Sequence, residues 1–523
     1  MNDSYRWIVM RLGLLGPRLG RSTVAAALLV AGWGCSSHSG RAVAPLPAES
    51  KFVAGAYPTS PPARICGNHA ILDGPATAPP GAVTVTTSIN LYDATQAAGP
   101  GTTFWLTPGV HTLGTNQYNQ VIPKDRDTYE GGPGAILDGQ KINFFAFTQT
   151  AVGVTIRNLT VRNFGPPGSD GNEGVINGDG GAGWTMEALT VQDNAGAGVF
   201  LGSHNIVEDN CLEDNGQYGF NMFEPKGITD ITLSHNEIVG NNTDNWEKRV
   251  PGCGCTGGGK FWDVRGATVT DNWVHNNHGT GLWADTDDAV FSIEGNYIDD
   301  NDAPGIIYEI SYNAVIRNNT LVRNALVEGR TFAAEGDNFP VGAIYVSESG
   351  GDSRVDPRDP VLEISGNNFV DNWGGVTLWE NADRFCGSPN VSPAYCTLVG
   401  TVSTAACNEA KIDQPPQFAD CRWHTQNVEV TDNRFTLDKA AIGCTRFCGF
   451  QAIISNYGSS PAWSPYKGTV IEQDITFKNN NHFSANEYVG PWQFMGQNTG
   501  VNLTFGQWQA SPYHQDADST LSS

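Results

Sequence analysis

Charge is scarce in this chain, and positive charge scarcer still. Asp, Glu, Lys and Arg make up 16% of 523 residues, and 30 bases face 54 acids for a formal net charge of −24. Nucleic acid is bound through a basic surface, so this balance excludes it as a partner. Stretches rich in Ala, Leu, Glu and Lys are few, while glycine reaches 62 residues. Helical bundles and coiled coils are thereby excluded, and a turn-rich β protein is favoured. Beyond the N-terminus no apolar run is long enough to cross a bilayer. What the chain does have is 39% hydrophobic residues, with 14 Trp, 15 Tyr and 23 Phe, enough to fill a sizeable core. Length alone suggests about three domains, although all-β architectures run longer as single units.

The N-terminus reads as an address. Arg6, Arg11, Arg18 and Arg21 precede an apolar stretch over 24–31 that has the length of a secretory leader. The following Gly32-Trp33-Gly34-Cys35 resembles a bacterial lipoprotein cleavage site with Cys35 as the lipidated residue, although Gly32 and Trp33 depart from the usual residues. Residues 1–34 are therefore expected to be a signal peptide and the protein to be exported, either secreted or held at the cell surface by a lipid on Cys35. Ten further cysteines remain, an even number in an exported chain, and disulfides are the expected state. Cys253-Gly-Cys255 and the Cys444/Cys448 pair lack a His at zinc-ligand spacing. The cysteines from Cys386 to Cys448 are expected to staple one long insertion.

From about residue 190 a pattern recurs: an alternating apolar run, an Asn, four residues, a second Asn, then a Gly opening another run. The pairs are Asn236/Asn241, Asn272/Asn277, Asn296/Asn301, Asn319/Asn324 and Asn367/Asn372, with successive first members at 272, 296 and 319. A period in the low twenties built from short β-branched runs, without a 3.6 repeat, predicts an all-β solenoid of three strands per coil, a parallel β-helix. The asparagines are expected to stack as a ladder that satisfies turn backbone groups. Residues 35–51 read as a linker, 52–100 as an N-terminal cap, 101–490 as the solenoid and 491–523 as a C-terminal coil and cap. Insertions at 243–257, 325–341, 349–360 and 381–424 are expected to project as loops on one face.

The recurring coil, with the segments Phe104-Trp105-Leu106-Thr107-Pro108-Gly109 and Gly131-Gly132-Pro133-Gly134-Ala135-Ile136-Leu137-Asp138-Gly139, resembles the right-handed parallel β-helix repeat family of the pectate-lyase superfamily. The resemblance implies a carbohydrate ligand and leaves the chemistry open among hydrolases, lyases, epimerases and depolymerases. The Arg-Ile-Lys and Gly-His-Gly motifs of polygalacturonases and the Asp-Pro-His motif of epimerases are missing.

Aligning coils at Gly259, Gly281, Gly305, Gly342 and Gly375 places Asp263, Asp285 and Glu309 at one position. Stacked like charges about 4.8 Å apart push one another's pKa values apart and mark a candidate site. Asp285, Asp287, Asp288, Glu309 and Lys260 are the catalytic candidates. Trp262, Trp283, Tyr308, Tyr345, Glu348, Trp379, Glu380 and Arg384 are the candidates for substrate contact, because aromatic faces beside polar groups suit sugar rings. A hydrolase would draw an acid and a carboxylate from Asp285, Glu309 and their neighbours. A lyase would use Lys260 or Arg384 as base or clamp, with Ca²⁺ held by Asp263, Asp285 and Glu309. A non-catalytic glycan-binding surface protein is the third reading. In each case the expected partner is a polysaccharide and the expected state a monomer.

Overall fold

The computed structural model describes residues 57–522 except 149, 168–173, 252, 256, 390–395 and 398–402. The expected signal peptide, Cys35 and the linker to residue 51 lie outside the described residues. Among those described, the strands form two thirteen-stranded sheets and one ten-stranded sheet. From Ala197–Leu201 on, a coil contributes one strand to each sheet, as in Thr280–Asp285, then Ala289–Glu294, then Tyr297–Asp299, while earlier coils reach the ten-stranded sheet through isolated bridges. Successive coils pair in parallel at the equivalent position, for example Ala289–Glu294 between Val264–Thr270 and Tyr312–Arg317. We call the sheet containing Ala289–Glu294 the first, that containing Tyr297–Asp299 the second, and the ten-stranded one containing Thr280–Asp285 the third.

Alternate side chains of each strand point into the coil. The interior is a column of rings and aliphatics: Phe220, Phe261, Phe291 and Tyr308 follow one another at centroid distances of 5.0, 5.1 and 5.9 Å. Further along, Phe369, Phe435 and Tyr488 stack at 4.4 and 5.0 Å.

The asparagines do what their spacing predicts. One ladder runs Asn210, Asn236, Asn272, Asn296, Asn319, Asn367, Asn433 and Asn486 at the turn between the first and second sheets. Each side-chain amide donates to the next Oδ1 at 2.9–3.2 Å. A second ladder leaves the second sheet through Asn194, Asn215, Asn241, Asn277, Asn301, Asn324 and Asn372. The same Oδ1 also accepts the backbone N–H of the asparagine one coil earlier, as Asn296 does for Asn272 at 3.0 Å. The turn needs the preceding residue in the left-handed region, as at Asp271 (φ 55°) and Asn276 (φ 52°), a conformation that Asp, Asn and Gly tolerate best.

The coil starts earlier than residue 101. Val83–Val85 already pairs with Phe104–Leu106 at the edge of the first sheet, and the helix Leu91–Ala97 covers that end. Before it, residues 57–82 run as a strap along the outside of the second sheet. Thr320 Oγ1 donates to Pro58 O, and Arg64 Nε lies 3.2 Å from Glu237. The N–H groups of Ile65 and Cys66 both donate to Glu237 Oε2 at 2.7 Å, Cys66 is bridged to Cys211, and Asn158 Nδ2 donates to Leu72 O. At the far end, Asn502–Leu503, antiparallel to Gln493–Gln497, closes the third sheet and Thr520–Ser522 the second.

Insertions flank the third sheet: 243–257 and 325–341 lead into its strands, and 349–360 and 381–424 leave them. Residues 325–341 carry the helix Leu326–Glu335, and 243–257 carry the turn of helix Trp246–Arg249. A helix the repeat pattern did not announce, Val470–Phe477, packs on strands Phe450–Ser455 and Gln493–Gln497. The cysteines do not staple one insertion. Cys386–Cys396 and Cys407–Cys421 lie within 381–424, Cys444–Cys448 closes a separate turn, and Cys253–Cys255 tips the 243–257 loop.

Replacing Asn296 by Ala removes an acceptor for two donors of Asn272 and leaves them buried. We expect this to lower unfolding stability by roughly 2–4 kcal/mol, read as a shift of the urea midpoint. Asn276→Gly at the exposed left-handed position next to the other ladder should change it by less than about 1 kcal/mol.

Candidate active site

Outward-facing positions of the third sheet carry the residues of interest, and the pairing register decides which of them meet. Asp285 pairs directly with Glu309 on the next coil, as the glycine alignment predicted. Lys260 pairs with Trp283, however, so Trp262 and not Asp263 falls beside Asp285. Asp263 is displaced one position into the corner, where its N–H donates to Thr286 O. The alignment slips again beyond Glu309: Ile307 faces Tyr345, Tyr308 faces Val346 and Glu309 faces Ser347. One outward line therefore reads Trp262, Asp285, Glu309, Ser347 and Trp379.

A one-residue slip turns a side chain to the opposite face, and the consequences are specific. Tyr308 points into the coil, fully buried against Phe291, with its hydroxyl donating to Tyr312 O. It has no face to offer a sugar. Tyr345 and Trp379 do face outward, but Phe339 of the 325–341 insertion lies 6.1 Å from each ring and covers them. Of the five aromatic candidates, Trp262 and Trp283 remain half-buried with open surface.

The deep acids are matched with cations. Lys260 Nζ is 2.7 Å from Asp285 Oδ2, in ion contact but off hydrogen-bond alignment. The ammonium also donates to Gly254 O at 2.7 Å and lies 4.1 Å from the Trp283 ring centre. Arg384 Nη1 lies 3.0 Å from both Glu309 and Glu348. Glu380 is held by Arg422 at 2.6 Å and by His424 at 3.4 Å. Glu348, Glu380 and Arg384 are buried, and so are Asp285, Glu309 and Lys260; Arg384 ties Glu348 to Glu309, while Glu380 is held apart from them by Arg422.

Arg422, His424 and the Gly254 carbonyl were not apparent from the repeat. A usable signal was nonetheless present, since Arg384 stands two residues before Cys386 and Arg422 directly after Cys421. The two disulfides anchor both arginines over the acids, and Cys386 N–H donates to Cys421 O at 2.9 Å.

Burial is the largest influence on Glu309. Arg384 pulls its carboxyl down, Asp285 and Glu348 push it up, and the result is a pKa raised to about 7. Asp287, at the corner, is also raised to about 7, by burial and then by Asp263 and Asp285. Asp288 lies fully buried and well above the carboxylate range for the same first reason, although Val264 N–H donates to it at 2.9 Å. Asp263, Asp285 and Glu309 do not gather around one point as a calcium set would. Among the described residues, the one such group of ligand atoms within 4.8 Å is Cys66, Cys211 and Glu213, whose sulfurs form a disulfide. A cleft of about 250 Å³ lies near that group, between the strap and the second sheet and lined by His69, Asn158 and Glu213, away from the acid row.

A family model for the right-handed β-helix region matches residues 143–260 and 173–357. That match and the stacked parallel sheets show a right-handed parallel β-helix fold. Among solved structures, this β-helix protein is similar to the catalytic unit of a thermostable GH87 α-1,3-glucanase from Streptomyces thermodiastaticus strain HF3-3. The identity is 14% and the TM-score 0.45, with 86% of this chain and 69% of that one covered. It is also similar to a mannuronic acid specific polysaccharide family 6 lyase from human gut microbiota, at 11% identity, TM-score 0.44 and coverage of 80% and 82%. A third likeness is to the A-module of the Azotobacter vinelandii mannuronan C-5 epimerase AlgE4, at 16% identity, TM-score 0.37 and coverage of 56% and 86%. No curated protein matches the chain.

The raised carboxyls of the β-helix protein make a stability prediction. Folded Asp287 holds a proton that the unfolded chain releases, so its contribution is complete below 3.8, the value of an unperturbed Asp, and is lost as pH rises through about 7. Asp287→Asn should therefore stabilise the protein by on the order of 1–3 kcal/mol at pH 8. The difference should close towards pH 4 in thermal melts; a gap independent of pH would show that ionisation is not its source.

Proposed function

We propose that the outer face of the third sheet around Asp285 and Glu309 cleaves glycosidic bonds in a polysaccharide by carboxylate acid/base chemistry. The observation that carries this reading is the direct pairing of Asp285 with Glu309 on neighbouring coils, each contacting its own cation, beside the half-buried indoles of Trp262 and Trp283. Hydrolysis needs a carboxylic acid to protonate the leaving oxygen and a carboxylate to attack or to activate water. Glu309, raised to about 7, supplies the proton near neutrality. Asp285, one coil back and in contact with Lys260, is the second carboxyl. Trp262 and Trp283 offer ring faces to the sugar units on the N-terminal side of that pair.

Like charges in adjacent coils destabilise a fold, and here the sequence retains them and adds buried arginines to hold them. That arrangement suits a residue kept protonated for a task. A solenoid face along which successive coils present equivalent positions also suits a polymer lying along the axis.

The test uses residues 57–523 on a panel containing α-1,3-glucan, mannuronate-rich alginate, pectin and amino glycans, with and without Ca²⁺. Reducing ends should appear without ultraviolet absorbance of unsaturated products. Glu309→Gln should lower kcat about 10²–10⁴-fold while ligand affinity persists. The wild-type rate should fall as pH rises through about 7, because the general acid loses its proton there. Absorbance that rises with reducing ends would replace hydrolysis by elimination. A Glu309→Gln protein with undiminished turnover would remove Glu309 from the mechanism, and binding without turnover on any glycan would make this a binding face.

A further inference from the structure

The acids of this face divide into two sets. Asp285, Glu309, Glu348 and Glu380 each contact a Lys or Arg. Asp263, Asp287 and Asp288 do not: among the described residues no Lys, Arg or His forms an ion pair with any of the three, and they act on one another instead. Asp263 and Asp287 are half-buried at the corner where the third sheet turns into the first. Asp288 lies beneath them, 1% exposed, and its Oδ2 has no hydrogen-bond partner. Asp287 Oδ1 is likewise buried without a partner. A buried unsatisfied carboxyl oxygen is costly; without a cation, Asp287 and Asp288 retain protons instead, and a cation from outside would take their place as the protons leave to solvent.

Aromatic surface lies next to them. Phe223, 43% exposed, closes the strand before Trp262, and their rings meet edge to face at 5.4 Å. Along the axis the outward line thus runs Phe223, Trp262, Asp285, Glu309, advancing ~4.8 Å per coil. The protein itself shows what this surface accepts: the Lys260 ammonium lies 5.3 Å from the Trp262 ring centre and 4.1 Å from that of Trp283, with Asp285 and a backbone carbonyl as its oxygen partners. Two indoles, a carboxyl group and a carbonyl hold an organic ammonium ion there.

We propose that this corner receives a saccharide bearing a free amino group, with its ammonium among Asp263, Asp287 and Asp288 and its ring on Trp262 and Phe223. The substrate class is then an amine-bearing glycan. This rests on the reading of the same face as a polysaccharide site. A uronate would bring a carboxylate to three unpaired acids. A bare divalent ion fits less well, because these carboxyls do not gather within the reach that ligand atoms of one ion share. An ammonium group has three donors and tolerates the wider spacing.

The experiment is calorimetric titration of the protein with glucosamine and galactosamine oligomers carrying free amines, with their fully N-acetylated counterparts, and with oligogalacturonate. Free-amine oligomers should bind at least about tenfold tighter than the acetylated ones, about 1.4 kcal/mol. The D263N/D287N double variant, checked for an unchanged fold by its circular dichroism spectrum, should bring the two within about twofold. Equal affinity for free and acetylated oligomers, a preference for the uronate, a preference that survives in the double variant, or no binding of any amine oligomer would each overturn the inference. The reading of Asp285 and Glu309 is decided apart from this, by cleavage of neutral members of the polysaccharide panel. Turnover there with no amine preference would keep the enzyme and discard the amino sugar.

Discussion

Inside each ladder an asparagine donates its side-chain amide to the coils on both sides and accepts from the one before it, and the whole outer surface depends on that exchange. Asn272 gives its side-chain N–H to Asn296 and also to the backbone of Leu233, so the two turns cannot slide past one another without leaving amides unpaired. Together with the parallel strand pairing this locks one coil over the next. Equivalent positions are then forced into columns, and a carboxyl at such a position must sit beside whatever the next coil carries there. The pairing of Asp285 with Glu309 is a direct product of that constraint.

The insertions answer the charge that the columns accumulate. Arg384 and Arg422 enter from 381–424, held by disulfides that begin within two residues of each, and reach Glu309, Glu348 and Glu380. Asn381 N–H adds a bond to Glu348 and Asn381 O accepts from Arg422, so the cover is continuous. The same cover removes water, and the loss of water raises Glu309 more than its arginine lowers it. The insertions thus restrain the acids and tune them together. Where no cation is supplied, at Asp263, Asp287 and Asp288, the surface is open at Trp262 and Phe223.

The solenoid and the Asp285/Glu309 pair were legible in the sequence because period, alternation and Asn spacing report directly on the coil. The finer register was not. Gly257, Gly258 and Gly259 offered three anchors, and Gly258 is the one across from Gly281; at the next coil Ala343, not Gly342, stands opposite Gly305. A small side chain meets the same steric demand as glycine there, so identity alone could not set the phase. Each slip moved real residues: Asp263 left the column, Trp262 entered it, and Tyr308 lost its supposed neighbour Tyr345. The cover over Tyr345 and Trp379 was also invisible, because Phe339 belongs to an aperiodic loop whose destination no repeat encodes. Phe223 was missed because it lies just past a strand end, outside the aligned segments.

The strap along the second sheet has a separate consequence. A solenoid held only by neighbour contacts unravels from its ends, coil by coil, with the stability of each unit added to the next. Residues 57–82 fasten non-neighbouring coils to one another, touching Thr320 at Pro58, Glu237 at Arg64 and Asn158 at Leu72, with a covalent tie from Cys66 to Cys211. Those coils cannot fray independently while the strap is seated. The strap thus couples the coils from Asn158 to Thr320, and those that carry Asp285 and Glu309 lie inside the splinted stretch.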